Sequence, residues 1–258
     1  MRLYLKYFIM QLKISLEYKK QFILQFLGQT ITSVFSFLAI YMLFEKFGSL
    51  EEFTFSNVLI CFSISFLGFS LAEMIFRGFD HFDKILANGE FERIMVRPRN
   101  LILQVLGNDI NFNKIGRTTV SIIVFIAVLL NHPDLLQIDR IITLILMIIG
   151  TFIIDSNLFV LKAGITFFTV QGLEIMNIFT DGGRELTQYP LGIYNKWVLR
   201  FFTYIIPLSL VNYYPLLYVI GKSDNQFYIF LPIFSILFTI PSYIIWKIGV
   251  SKYKSIGS

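Results

Sequence analysis

The sequence predicts an all-α integral membrane protein with six transmembrane helices, an N-terminal interfacial helix and short helices in one cytoplasmic loop. Apolar residues make up 55% of the 258 residues and charged residues only 15%, whereas soluble domains carry about 25% charged residues. Mean hydropathy is +0.68. Charge-free runs recur at the length of roughly 20 residues that crosses a bilayer. These features indicate one transmembrane domain over residues 1–258.

Residues 1–20 are expected to form the interfacial helix. Leu5, Phe8 and Leu12 make an apolar stripe at helical spacing, and Lys6 and Lys13 lie beside it. Such a helix lies at the level of the lipid headgroups before the chain enters the bilayer. The alternative is a basic flank that only sets the topology. The segment lacks the small-residue cleavage site of a secretory signal peptide.

Six spans follow from the apolar runs, and basic residues orient them. The predicted spans are about 21–44, 53–75, 116–133, 140–161, 201–221 and 225–247. With the N-terminus inside, 19 of the 22 Lys and Arg residues lie in cytoplasmic segments, as the positive-inside rule requires. Both termini are therefore expected in the cytoplasm. Prolines inside the last two spans predict kinks or broken helices: Pro207, Pro215, Pro232 and Pro241.

The loop at 77–117 is the longest and most basic of the predicted cytoplasmic loops. Apolar residues recur in it at helical spacing, at Phe82, Ile85 and Leu86 and again at Phe91, Ile94 and Met95. Gly89 permits the left-handed conformation that ends a helix, Pro98 ends the second piece, and Asn100 can cap a third. Acidic and basic residues alternate, which favours a protein partner over the alternative, a basic loop held against anionic lipid.

Two stretches resemble signatures of the ABC-2 type transporter permease family. The first runs from 82 to 104 and the second from 189 to 215. The matching residues of the first are Phe82, Leu86, Gly89, Glu90, Phe91, Glu92, Arg93, Arg97, Pro98, Asn100 and Gln104. Those of the second are Tyr189, Pro190, Ile193, Tyr194, Trp197, Arg200, Pro207, Asn212, Tyr213, Tyr214 and Pro215. Glu92 stands where many relatives carry Asp, and Asn195 where many carry Pro.

The resemblance implies a type V ABC exporter-like fold in a bacterial cell membrane. It implies a permease that works with two copies of a separate ATPase and with a second, related permease subunit, and no nucleic acid partner. It also implies that the loop 77–117 couples the permease to the ATPase, and that 163–200 offers a second contact. The coupling residues would be Phe82, Leu86, Gly89, Phe91, Glu92, Arg93, Arg97 and Pro98, with the apolar face of Phe82, Leu86 and Phe91 docking into the ATPase.

The chain is not expected to be an enzyme. It contains no G-x-x-x-x-G-K-[ST] sequence, which is the loop that cradles nucleotide phosphates. ATP and Mg are therefore expected in the partner ATPase, with no cofactor in this chain. A single cysteine, Cys61, and two distant histidines, His81 and His132, predict no metal site.

The sequence predicts little about the translocation path. Asp155 is the one carboxylate deep in a predicted span, and Asn212 lies in the fifth. An intramembrane charge is a functional candidate, but Asp155 could equally bond to a neighbouring helix. The family resemblance implies that the substrate is drug-like, amphiphilic, a peptide or a lipid. Alternative functions are an ion-coupled secondary transporter, for which the buried polar groups are too few, and a membrane scaffold without transport activity.

Overall fold

The computed structural model describes residues 2–169 and 172–253, and within them the chain is almost entirely helical. The first half contains α1 (Arg2–Glu17), α2 (Lys19–Phe47), α3 (Phe55–Ile75), α4 (Arg77–Asp80), α5 (Phe82–Ala87), α6 (Glu90–Met95) and α7 (Leu101–Asn108). The second half contains α8 (Ile115–Asn131), α9 (Ile138–Thr166), α10 (Gly172–Thr187), α11 (Lys196–Tyr204), α12 (Ser209–Val219), α13 (Phe227–Phe230) and α14 (Thr239–Lys252). Short 3-10 helices connect several of them, and the longest, Leu231–Phe238, joins α13 to α14.

Five of these helical stretches are long and apolar enough to cross a membrane. They are Lys19–Phe47, Phe55–Ile75, Phe112–Asn131, Ile138–Thr166 and Phe227–Lys252. A sixth candidate is a bent pair, α11 with α12. The nearly all-helical fold with up to six spans is the predicted fold class.

The centre of the bundle is formed by α3 and α9. Small residues let the helices approach closely. A Cβ on Gly68 of α3 would lie 2.6 Å from the Thr151 side chain of α9. Where α9 crosses α14, a Cβ on Gly164 would lie 2.9 Å from the backbone nitrogen of Trp246. Small residues at such crossings increase van der Waals contact, which drives helix association in lipid.

The predicted fifth span, 201–221, is not one straight helix. Its axis bends by 111° between α11 and α12. Pro207 lies at the bend, where it has no backbone N–H to continue the helical hydrogen bonds. Prolines were expected to break this region, and the break separates it into two helices.

The segment preceding the bend runs deep into the bundle. The carbonyl of Thr187, the last residue of α10, accepts hydrogen bonds from Ser65 Oγ at 2.7 Å and Asn212 Nδ2 at 2.7 Å. Ser65 is the middle residue of α3, so α10 ends at mid-height of the bundle. Next, α11 returns beside α10, with the rings of Phe179 and Phe201 stacked at 5.8 Å. The polar stretch 172–200 is therefore packed into the bundle, and is not an extended loop.

The bundle has two distinct ends. The short helices α4–α7 close one of them, which we call the coupling end, together with the last turns of α9 and α14. The far end carries the connections after α2, α8 and α12. There Lys222 Nζ contacts the Glu52 carboxylate at 3.1 Å. Residues 77–108 thus form a structured insertion of four short helices between α3 and α8.

Candidate functional site

The candidate site is the coupling segment, residues 77–108, together with the charged side chains beneath it. Gly89 separates α5 from α6 and has a φ of +66°, a conformation that favours glycine. The side chain of Asn100 accepts a hydrogen bond from Leu103 N at 3.2 Å and caps α7. Gly89 and Asn100 therefore have the conformational roles that the sequence predicts.

Aromatic rings fasten this segment to the ends of the spans. Phe82 and Phe91 are both fully buried and meet edge to face at 5.2 Å between ring centroids. Phe82 also lies 4.9 Å from Trp246 of α14 and 5.1 Å from Phe167, which follows α9. Phe91 lies 5.1 Å from Tyr253. Aromatic pairs in this geometry add about 0.5–1.5 kcal/mol each beyond burial.

The expected docking face of the segment therefore lies inside the protein in this conformation. Phe82 and Phe91 contact the chain's own spans, and Leu86 is half-buried against the same cluster. The neighbouring Glu92 carboxylate lies close to Tyr253, and burial together with Glu92 raises the pKa of the Tyr253 phenol. These rings hold the segment in place, and a partner would meet other residues first.

The surface that a partner would meet is basic with an apolar tip. Lys84, Arg93, Arg97 and Arg99 are exposed, as is Pro98. At the end of α6, Val96 is 82% exposed. The amide of the buried Gln104 donates to the carbonyls of Ile94 and Arg99 at 3.2 and 3.1 Å, which fixes the backbone on both sides of Val96. Arg93 and Arg97 thus project from a supported framework.

A buried ionic cluster lies under the segment. Its centre is Glu73, 6% exposed, at the end of α3. The Glu73 carboxylate contacts Lys114 Nζ at 2.6 Å, Arg77 Nη1 at 2.9 Å and Arg117 Nη1 at 3.0 Å. Arg117 also donates to Gln29 Oε1 of α2 at 2.9 Å. One carboxylate therefore joins four parts of the chain.

Asp80 extends this cluster to α9. Its carboxylate contacts Arg77 Nη1 at 2.5 Å and Lys162 Nζ at 2.6 Å. Lys162 is 9% exposed. Charged groups buried this deeply are stable only when paired and hydrogen-bonded. Because Arg77 and Asp80 belong to the coupling segment, the cluster connects that segment to α2, α3, α8 and α9.

The two candidate residues of the translocation path lie elsewhere. Asp155 is buried on α9, and Arg184 of α10 acts on it electrostatically. Asn212 is 1% exposed and donates to Thr187 O and, at 3.3 Å, to Ser65 Oγ. The thiol of Cys61 lies 3.7 Å from Asn212 Oδ1. Asn212 therefore joins α3, α10 and α12, and its amide is occupied by the chain itself.

Sequence reasoning missed the ionic cluster. Glu73, Lys114 and Lys162 each lie at the edge of an apolar run and are separated by 40 or more positions, so no local spacing connects them. One signal was present. Charges at the ends of spans need partners when their depth prevents full hydration, and all three lie there.

Comparison with known proteins agrees with the fold class. The family model described as ABC-2 family transporter protein matches residues 30–257. No curated protein matches the chain, and no solved structure does. The matched range includes the coupling segment, the ionic cluster and the candidate spans after the start of α2. This family consists of the membrane components of ABC transporters, which associate with an ABC ATPase. The chain is therefore a multi-pass membrane protein of the ABC-2 transporter family.

Proposed function

We propose that this chain is the permease subunit of an ATP-driven exporter in a bacterial cell membrane, with both termini in the cytoplasm. Two copies of a separate ATPase bind ATP and Mg and supply the energy, and a second, related permease completes the path. The substrate is a drug-like, amphiphilic, peptide or lipid molecule. The bias of Lys and Arg toward the coupling end supports a cytoplasmic position for that end.

The main support for the proposal is the way in which the coupling segment is packed against the ends of the spans. Its outer surface presents Arg93, Arg97 and Val96, while its inner surface is fastened by Phe82 and Phe91. An apolar tip with flanking cations suits an acidic groove of a protein partner, because basic groups fix register through charge-assisted hydrogen bonds. The contacts of the aromatic rings then keep the segment fixed relative to the spans when the partner moves.

The ionic cluster offers a path from the segment to the spans. A displacement of α4 moves Asp80 and Arg77, which are paired with Lys162 of α9 and Glu73 of α3. Packed elements move as units, because well-packed interiors are not continuously deformable. Closure of the ATPase dimer would therefore tilt α3, α8 and α9 together.

Charge reversal at the outer surface tests this proposal. In the complex purified with its ATPase, we expect Arg93→Glu with Arg97→Glu to weaken ATPase retention and to abolish substrate-stimulated ATP hydrolysis. The matched control is Lys46→Glu, an exposed charge reversal at the far end of α2. Full retention of the ATPase together with unchanged stimulation in the double variant would refute the proposed contact.

A further inference from the structure

A polar cavity of about 200 Å³ lies at the junction of α1 and α2. Its third wall is residues 109–113, the linker that follows α7. The cavity is separate from the aromatic rings and from the ionic cluster of the coupling segment. It opens beside the interfacial helix α1, whose Leu5 and Ile9 are half exposed and are suited to lie among lipid headgroups.

Uncharged hydrogen-bonding groups dominate the lining. Five amides contribute to it: Gln11, Gln21, Gln25, Asn111 and Asn113. Ser15 and Tyr18 add hydroxyl groups, and Asp109 is the one charged residue among the described lining residues. A lining without a basic group does not favour a phosphate. It favours a ligand that both donates and accepts hydrogen bonds.

Two of these amides lie in the first turns of α2, which is a candidate membrane span. Counted from Lys19, Gln21 is about 3 Å and Gln25 about 9 Å along α2, from the rise of 1.5 Å per residue. Their neighbour Leu24 is 71% exposed, as expected of a lipid-facing residue. Among the described residues, no protein group hydrogen-bonds to the side chain of Gln21 or Gln25. Polar groups at this depth are costly unless something pairs with them.

We propose that this cavity binds the polyhydroxylated, uncharged headgroup of an amphiphile from the leaflet at the coupling end. The amides of Gln21 and Gln25 each place a donor and an acceptor side by side, which matches the paired hydroxyls of a sugar ring. The half-buried ring of Phe22 in the wall offers an apolar face for the C–H side of such a ring. This inference goes beyond the proposed function and holds whether or not the chain drives export.

The walls are fixed by contacts of their own, so the site is formed before a ligand arrives. Gln11 Nε2 donates to Asn108 O at 2.9 Å, which holds α1 against the end of α7. Phe8 meets Phe112 edge to face at 5.0 Å. The Asp109 carboxylate lies 3.2 Å from Nδ1 of His81 in the coupling segment. One wall of the cavity is therefore in contact with that segment through Asp109.

Lipid retention by this chain tests the proposal. The chain is placed in nanodiscs of phosphatidylglycerol with a small fraction of monoglucosyl diacylglycerol, extracted gently, and analysed by native mass spectrometry. We expect the glucosyl lipid to be enriched over its membrane fraction. Gln21→Leu with Gln25→Leu should reduce that enrichment about tenfold or more, since each lost hydrogen bond is worth about a factor of five.

Two further variants keep the test decisive. Asn113→Leu changes the opposite wall and should reduce enrichment as well, whereas Thr32→Val, an exposed polar residue of α2 outside the cavity, should not. Displacement by free methyl glucoside would assign recognition to the sugar alone, and resistance to it would assign recognition to the lipid-borne sugar. Equal retention of both lipids by the unaltered chain, or undiminished enrichment in both cavity variants, would overturn the proposal.

Discussion

Replacing Glu73 with glutamine should destabilise the protein more than any other single loss of a carboxylate. The substitution keeps the shape but removes the charge that faces Lys114, Arg77 and Arg117. Lys114 and Arg117 are 8% and 7% exposed, so water cannot replace the lost partner. Among the described residues, Lys114 and Arg117 form ion pairs only with Glu73, so its loss leaves both without a carboxylate in contact.

The magnitude follows from the burial of these partners. Breaking a buried ion pair by removing one member costs about 3–5 kcal/mol. In a protein of this length, each kcal/mol lowers the melting temperature by about 2–4 °C. The expected loss is therefore on the order of 10 °C in detergent, measured by heating followed by size-exclusion chromatography. Adding Lys114→Met to Glu73→Gln should restore part of it, because the unpaired cation is removed.

The control for this experiment is Glu45→Gln, a substitution of an exposed carboxylate at the far end of α2. It should leave the melting temperature unchanged, because surface charges contribute little. A Glu73→Gln protein that melts within about 2 °C of the unaltered chain, on the scale of about 2–4 °C per kcal/mol, would refute the account of the cluster.

Three further substitutions have defined outcomes. Gly89→Val should lower the free energy of unfolding by about 1–2 kcal/mol. The loss is backbone strain alone, because φ is +66° and no atom lies within 4 Å of the added Cβ. Gly89→Asn should lower it less, and equal melting temperatures of the two variants would contradict this. Gly164→Leu should lower the free energy of unfolding by about 1–3 kcal/mol by overpacking α9 against α14. Gly28→Leu adds its side chain in open space and should melt at the temperature of the unaltered chain. Asn212→Leu should lower the free energy of unfolding by about 0.5–1.5 kcal/mol, because the Thr187 carbonyl loses the bond from Asn212 but keeps the bond from Ser65. An unchanged unfolding curve would show that the Asn212 bond does not stabilise the bundle.

The sequence predicted the helices whose signal is local. Charge-free runs predicted the positions of α3 and α9. The turn at Gly89 and the cap at Asn100 could be predicted because glycine and asparagine affect the backbone at their own positions. The family resemblance is confirmed by the family match over residues 30–257. Each of these features depends on residues that are neighbours in the chain.

The remaining features depend on distant contacts. The sequence predicts a loop at α10 because Arg184 and Thr187 interrupt its apolar residues. In the structure, the Thr187 carbonyl accepts hydrogen bonds from Ser65 and Asn212. The apolar face of the coupling segment predicts burial correctly, but periodicity does not reveal whether the burying surface is another protein or Trp246 of the same chain. Lys162 could not be assigned to Asp80 because 82 positions separate them.

Cysteine crosslinking tests the central claim most directly. Cys61 is the single cysteine and is fully buried, so the chain has a low reactive background. In the complex with its ATPase, Val96→Cys at the exposed tip of the coupling segment should crosslink to the ATPase, and the efficiency should change when ATP is added. Asp224→Cys, exposed at the far end, should not crosslink. Crosslinking from residue 224, or none from residue 96 in an intact complex, would contradict the proposed contact.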